Sequence, residues 1–178
     1  MNRVRVFVGC SLDGFIAGVD DDLSWLGDPS ADEGEDEHGF QAFLAEVGAL
    51  LMGRRTFEVV AGFGGPWPYG DRPALIATHR PLPPTEHPVQ AVQGSIEELI
   101  ERARSAAGER DVYLDGGVMI RQALDAGLVD ELALTFVPIV LGAGIPLFAG
   151  VAQRHSFELK TERRLSKGLM TLTYRTLK

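Results

Sequence analysis

Apolar and polar positions along this chain switch period several times, from strand-like alternation to a helical repeat and back. From Arg3 to Cys10, Val4, Val6, Phe7 and Val8 supply the β-branched and aromatic side chains of a central strand. A Gly- and Asp-rich stretch runs on to about Glu37. Phe40, Phe43, Leu44 and Val47 then recur at helical spacing and predict an amphipathic helix from about His38 to Gly48. Ala49-Leu-Leu-Met-Gly53 predicts a buried strand that opens directly into a short helix from Arg54 to Ala61. Gly62 to Gly70 is a loop by composition, and Ala74 to Thr78 a strand that Pro81, Pro83 and Pro84 stop. Val89 to Val92 is a weak strand. Ser95 and Glu98 have the spacing of a capping box for a helix that buries Ile96, Leu99, Ile100 and Ala103. Asp111 to Leu114 is a strand, Gly117 to Ala126 a helix stopped by Gly127, and Glu131 to Val140 the longest apolar strand. Phe157 to Lys178 reads as two antiparallel strands that turn at Ser166-Lys-Gly168.

Strands alternating with helices imply an α/β fold, a mostly parallel sheet with helices on both faces. The terminal hairpin adds an antiparallel edge. No repeat or linker interrupts the pattern, so residues 1–178 are expected to form one domain. With 45% hydrophobic and 24% charged residues, the chain has the make-up of an ordinary globular protein with one core. No apolar run approaches the roughly 20 residues that span a bilayer, and the opening residues lack a secretory pattern. The expectation is a cytoplasmic protein that does not engage a membrane.

A net charge of −8 argues against nucleic acid as a partner. The acidity is local: nine of the eighteen residues from Asp20 to Glu37 are Asp or Glu, the pattern of a solvated loop. An anionic ligand must therefore be met by a few placed cations and by backbone. Cys10 is the only cysteine, which excludes an intramolecular disulfide and a Cys-based zinc site, and it reads as a small buried hydrophobe. His38, His79, His87 and His155 are far apart, and the acidic stretch lacks a coordination spacing, so no metal is expected.

The polar residues with chemical potential follow strand ends, where ligands bind in open α/β sheets. Ser11-Leu-Asp-Gly-Phe-Ile-Ala17 turns a strand into a small-residue loop over which a flat ligand can lie. Gly53-Arg-Arg-Thr-Phe57 sits where a strand meets a helix, whose first amides suit a phosphate. Thr56 adds a hydroxyl there and Arg54 or Arg55 a planar fork, although a capped helix with solvated arginines fits the same residues. Thr78-His-Arg80 is a second polar group; Arg54 and Arg80 together would select an adenosine 2′-phosphate, at roughly 1.5–3 kcal/mol per charge-assisted contact. Asp115-Gly-Gly-Val-Met-Ile120 opens a helix as a pyrophosphate site does, and equally as a tight turn does. Asp13 is the carboxylate best placed to supply or relay a proton, or else simply forms an Asp-Gly turn. Trp25 and Phe57, with Ser11, are candidates to line a substrate pocket for a flat heterocycle; Phe43 belongs to the core.

In this order and spacing, Ser11 to Ala17, Gly53-Arg-Arg-Thr-Phe-Glu58, Asp115-Gly-Gly-Val118 and Pro138 to Phe148 resemble the family uniting dihydrofolate reductase with the reductase domain of bacterial riboflavin biosynthesis. The resemblance extends from Val4 to Tyr174. It implies the dihydrofolate-reductase-like three-layer fold with a central sheet of about eight strands, and NADPH as hydride donor. The nicotinamide would lie near Ile16 and Ala17, the 2′-phosphate near Arg54, Thr56, Thr78 and Arg80, and the pyrophosphate on Gly116, Gly117, Val118 and Met119, with Gly53 at the companion helix start. It also implies a cis peptide between Gly116 and Gly117, and a homodimer paired through sheet edges and the Leu141 to Phe148 loop. The chain departs from the family in two ways. Neither Asp36 nor Glu37 aligns with the pterin-binding carboxylate of dihydrofolate reductases. The His-x-Leu-Arg and Asp-Asp-Pro segments that serve a phosphoribosyl substrate are missing. The resemblance implies a reductase of the 5-amino-6-(5-phosphoribosylamino)uracil type acting on a small heterocycle. A pterin or folate reductase, and an NADPH-binding protein without efficient chemistry, are the alternatives.

Overall fold

The computed structural model describes residues 2–27 and 39–177. Asp36, Glu37, His38 and most of the acidic stretch lie outside the described residues. Among the described residues there are ten strands: β1 (Val4–Ser11), β2 (Phe15–Ala17), β3 (Val47–Gly53), β4 (Ala74–Ala77), β5 (Val89–Val92), β6 (Asp111–Asp115), β7 (Glu131–Val137), β8 (Ile145–Pro146), β9 (Ser156–Arg164) and β10 (Met170–Leu177). The helices among the described residues are α1 (Phe40–Glu46), α2 (Arg54–Ala61), α3 (Ile96–Ala107) and α4 (Gly117–Asp125), with three short 3-10 turns between elements. Eight strands form one sheet in the order β5-β4-β3-β6-β1-β7-β10-β9. The first six run parallel. β10 is antiparallel to β7, and β9 to β10. β2 and β8 form a separate antiparallel pair.

Side-chain alternation assigns each strand's two faces. In β3, Ala49 and Leu51 join one apolar cluster, and Leu50 and Met52 join the other. All four are fully buried, which is why this strand reads as an unbroken apolar run. On one face α3 and α4 bring Leu99, Ile100, Ile120 and Ala123 against Val4, Val6, Val112 and Leu114. On the other, α1 and α2 bring Phe43, Leu44 and Phe57 against Ile76 and Tyr113. The Ser95 hydroxyl accepts the Glu98 amide at 3.3 Å and the Glu98 carboxylate accepts the Ser95 amide at 2.9 Å, so the predicted capping box starts α3.

The structure corrects several boundaries. α1 begins at Phe40 and yields at Val47, whose fully buried side chain and pairing with Asp111 draw it into β3. β7 ends at Val137 because Pro138 cannot donate to the ladder. The loops expected at residues 11–17 and 141–148 contain β2 and β8, paired through Phe15 with Pro146 and Ala17 with Ile145; runs of three and two residues carry no readable period. The Gly116–Gly117 peptide is trans, correcting the expected cis bond.

Candidate functional site

From β1 the chain crosses β6 to reach β3, and from β6 it crosses β1 to reach β7. Connections therefore leave neighbouring strands in opposite directions, which opens a crevice at their carboxyl ends. A cavity of about 470 Å³ lies there.

Its floor is the end of β6. Val112 and Leu114 point into the α3/α4 core, so Tyr113 and Asp115 take the opposite face and line the cavity. Asp115 Oδ1 accepts the Gly116 amide at 2.7 Å, and Oδ2 lies 3.3 Å from the Tyr113 hydroxyl. That hydroxyl donates to the Phe7 carbonyl at 2.8 Å. Burial pushes the Asp115 carboxyl up to about 6, and the two hydrogen bonds only partly offset it. Burial, and then the Asp115 charge, raise the phenols of Tyr113 and Tyr69 in turn.

One wall is made of two helix starts. Neither Gly53, which precedes α2, nor Gly116, which precedes α4, has a side-chain cap, so the first amides of both helices keep their donors. The two ends are in close contact. A Cβ on Gly116, which sits at φ 94°, would fall 2.5 Å from Thr56 Oγ1 and 3.7 Å from the Gly53 nitrogen. A Cβ on Gly117 would fall 3.2 Å from Ile16 Cδ1 and 3.3 Å from the Pro146 carbonyl. Only glycines let β2, β8 and the two helix starts approach so closely. Arg121 secures this corner by donating to the Pro146 carbonyl at 2.6 Å.

The other walls are apolar. Thr56, Val59, Val60 and Phe63 follow one another on a single face of α2 and its extension. Leu23 and Leu26 face them from the segment after β2; a Cβ on Gly9 would lie 2.6 Å from Leu26 Cδ2. At the mouth, Arg55 Nε donates to both oxygens of Asp21, at 2.7 and 2.9 Å.

Eight of the cofactor residues predicted from sequence gather on this cavity: Ile16, Ala17, Gly53, Thr56, Gly116, Gly117, Val118 and Met119. Arg54, Thr78 and Arg80 lie outside it. Arg54 donates to Glu58 at 2.6 Å and to the Pro81 carbonyl at 2.8 Å, and the Thr78 hydroxyl accepts the Arg80 amide at 3.1 Å. These three form a separate corner beside the start of α2. The substrate and catalytic expectations fare differently. Phe57 is 1% exposed and packs on Trp67 in the core, one residue out of phase with Thr56. Trp25 donates to the Asp22 carbonyl at 3.0 Å and stays outside the cavity, which its neighbours Leu23 and Leu26 line instead. Ser11 is buried, accepting the Phe15 amide at 2.9 Å and donating to Asp13 at 2.7 Å. Asp13 also accepts the amides of Leu141 and Gly142, at 3.1 and 2.7 Å. The Ser11 hydroxyl first, then the amides, hold its carboxyl below the usual carboxylate range. It is an anchored turn residue and does not reach the cavity. The acid on the cavity floor is Asp115, which the sequence shows only as part of a glycine motif; its parity with Tyr113 along β6 was the available signal.

Residues 67–171 match the RibD C-terminal domain. The chain is similar to a protein from Shewanella sp. PV-4 assigned provisionally to riboflavin biosynthesis, with 33% identity, a TM-score of 0.87 and 99% of each chain covered. It is 29% identical to the uncharacterized protein YyaP of Bacillus subtilis, over 97% of this chain and 94% of the relative. Dihydrofolate reductase from Enterococcus faecalis, solved with NADP(H), shares the fold at a TM-score of 0.66 and 17% identity, with 99% and 97% of the two chains covered. The sheet order, the layers and these matches establish a dihydrofolate-reductase-like fold, and the chain belongs to the RibD C-terminal domain family.

Proposed function

We propose that this protein is an NADPH-dependent reductase of a small heterocycle, with Asp115 as the proton donor. One observation carries the reading: two uncapped helix starts, α2 and α4, meet at a single cavity whose floor is a half-buried carboxyl with a raised pKa. Donors of this kind suit the phosphates of a dinucleotide, in a chain whose net charge of −8 offers no broad basic surface. The glycine cradle fits such a ligand, because a Cβ at Gly116 or Gly117 would fill the space where a phosphate approaches the amides.

In this reading Gly53, Thr56 and residues 116–119 hold the pyrophosphate, Ile16 and Ala17 flank the nicotinamide, and Arg54, Thr78 and Arg80 receive the 2′-phosphate. When bound, NADPH supplies the hydride. The chain's own residues do the rest. Apolar walls exclude water, Tyr113 and the Gly116 amide fix the Asp115 carboxyl, and Asp115 delivers a proton to the reduced atom. Family membership supports an acceptor with an aminopyrimidine ring, the ring of 5-amino-6-(5-phosphoribosylamino)uracil.

Calorimetric titration tests the cofactor assignment. NADPH should bind at micromolar levels, and NADH at least about tenfold more weakly, as expected for one or more charge-assisted contacts to the 2′-phosphate. Arg54→Ala combined with Arg80→Ala should bring the two affinities together, whereas Thr56→Ala should weaken both alike. Absence of heat with either nucleotide would refute the proposal.

A further inference from the structure

Resting on the reductase reading, we infer that the acceptor is an uncharged flat heterocycle that carries no phosphate. The acceptor end of the cavity is walled by Phe7, Leu23, Leu26, Val59, Val60 and Phe63, surfaces that suit an aromatic ring. Its polar floor is acidic.

A phosphate of charge about −1.5 to −2 near neutral pH needs guanidinium forks or free helix amides. Among the described residues, Arg55 is the only cationic side chain that lines the cavity, and both oxygens of Asp21 already hold it. Arg54 lies outside the cavity, in the corner assigned to the cofactor's 2′-phosphate, and Arg121 is turned toward the Pro146 carbonyl. The amides that open α2 and α4 are assigned to the cofactor's own phosphates.

The mouth also carries charge of the wrong sign. Asp21 lines it in left-handed backbone, at φ 61°, with Asp20 and Asp22 beside it in the chain. A neutral ring is indifferent to that field. A phosphorylated one is repelled over roughly 8 Å at physiological salt. Selectivity here comes from a repulsive element as much as from an attractive one.

Matched ligand pairs test the inference on the full chain, by calorimetry in the presence of saturating NADP⁺ and again without it. The pairs are riboflavin with its 5′-phosphate, and 5-amino-6-ribosylaminouracil with its 5′-phosphate. At low salt the neutral member of at least one pair should bind about tenfold tighter than its phosphate, and raising salt to about 0.3 M should narrow the gap. Asp21→Asn should narrow it by about twofold to fivefold by strengthening only the phosphorylated member. Tighter or equal binding of the phosphorylated members overturns the inference, as does failure of every neutral member to bind. Preference for the neutral members without any NADP⁺ binding counts against the reductase reading alone.

Discussion

Two Asp-Gly pairs follow neighbouring parallel strands, Asp13-Gly14 just past β1 and Asp115-Gly116 at the end of β6, and their carboxyls behave in opposite ways. Asp13 is exposed and accepts three donors, the Ser11 hydroxyl and the amides of Leu141 and Gly142. Its negative form is favoured. Asp115 is enclosed by Phe7, Tyr113 and the helix starts, accepts one short amide bond and keeps a longer contact with a phenol. Its neutral form persists up to about pH 6. Desolvation outweighs the donors at Asp115, and the donors outweigh desolvation at Asp13. A strand-end carboxylate rich in donors is an anchor, while one with few donors beneath apolar walls is a proton source.

Replacing each acid by its amide gives the sharpest contrast. Asp115→Asn keeps the shape of the floor and removes the proton, so kcat should fall by about 10²–10⁴-fold with little change in cofactor affinity. In the unaltered protein the rate should decline as pH rises past about 6, where Asp115 ionises, and Asp115→Asn should flatten that limb. Asp13→Asn should leave kcat within a fewfold of the starting value and the pH profile unmoved. Equal losses in the two variants would break the comparison.

A smaller effect concerns stability. The Asp115 carboxyl titrates at about 6 in the folded state, against 3.8 as the ordinary value. Between about pH 4 and 6 the unfolded chain releases this proton while the folded chain retains it, so stability declines across that window as pH rises. Above about pH 6 both states are ionised and the penalty is constant, at about 3 kcal/mol. Asp115→Asn should therefore raise the urea midpoint at neutral pH and have little effect near pH 4. An unchanged midpoint at neutral pH would show that the site is wetter than its packing indicates.

The strand–helix junctions were legible because their signals are local. A glycine, a short hydroxyl side chain and a helix start within a few residues mark Gly53 to Thr56 and Gly116 to Met119, and the fold brings them together as expected. Helix azimuth was not legible. Successive residues on α2 are about 100° apart, so Thr56 faces the cavity while Phe57 enters the core, and Arg55 rather than Arg54 reaches the mouth. Trp25 stands out as an aromatic in an otherwise polar loop, yet its apolar neighbours Leu23 and Leu26 line the cavity. The role of Asp115 was hidden for another reason. Its environment is built by Phe7, more than a hundred positions away, so no window of sequence contains both the acid and the wall that desolvates it.

The smallest expected effect tests the anchor. A carboxyl held below its ordinary value in the folded state stabilises the fold at pH values above its unfolded pKa, and that contribution fades as pH falls through the lower folded value. Asp13→Asn should thus cost stability at neutral pH and converge on the unaltered protein in acid. Because Asp13 is exposed, the global loss should be slight, and the local signature more telling. The amides of Leu141 and Gly142 lose their charged acceptor, so hydrogen exchange at these two positions should accelerate while exchange in β6 stays unchanged. Acceleration that spread into β6 would mean that the turn after β1 and the acidic floor form one cooperative unit, and the division between anchor and proton source would then fail.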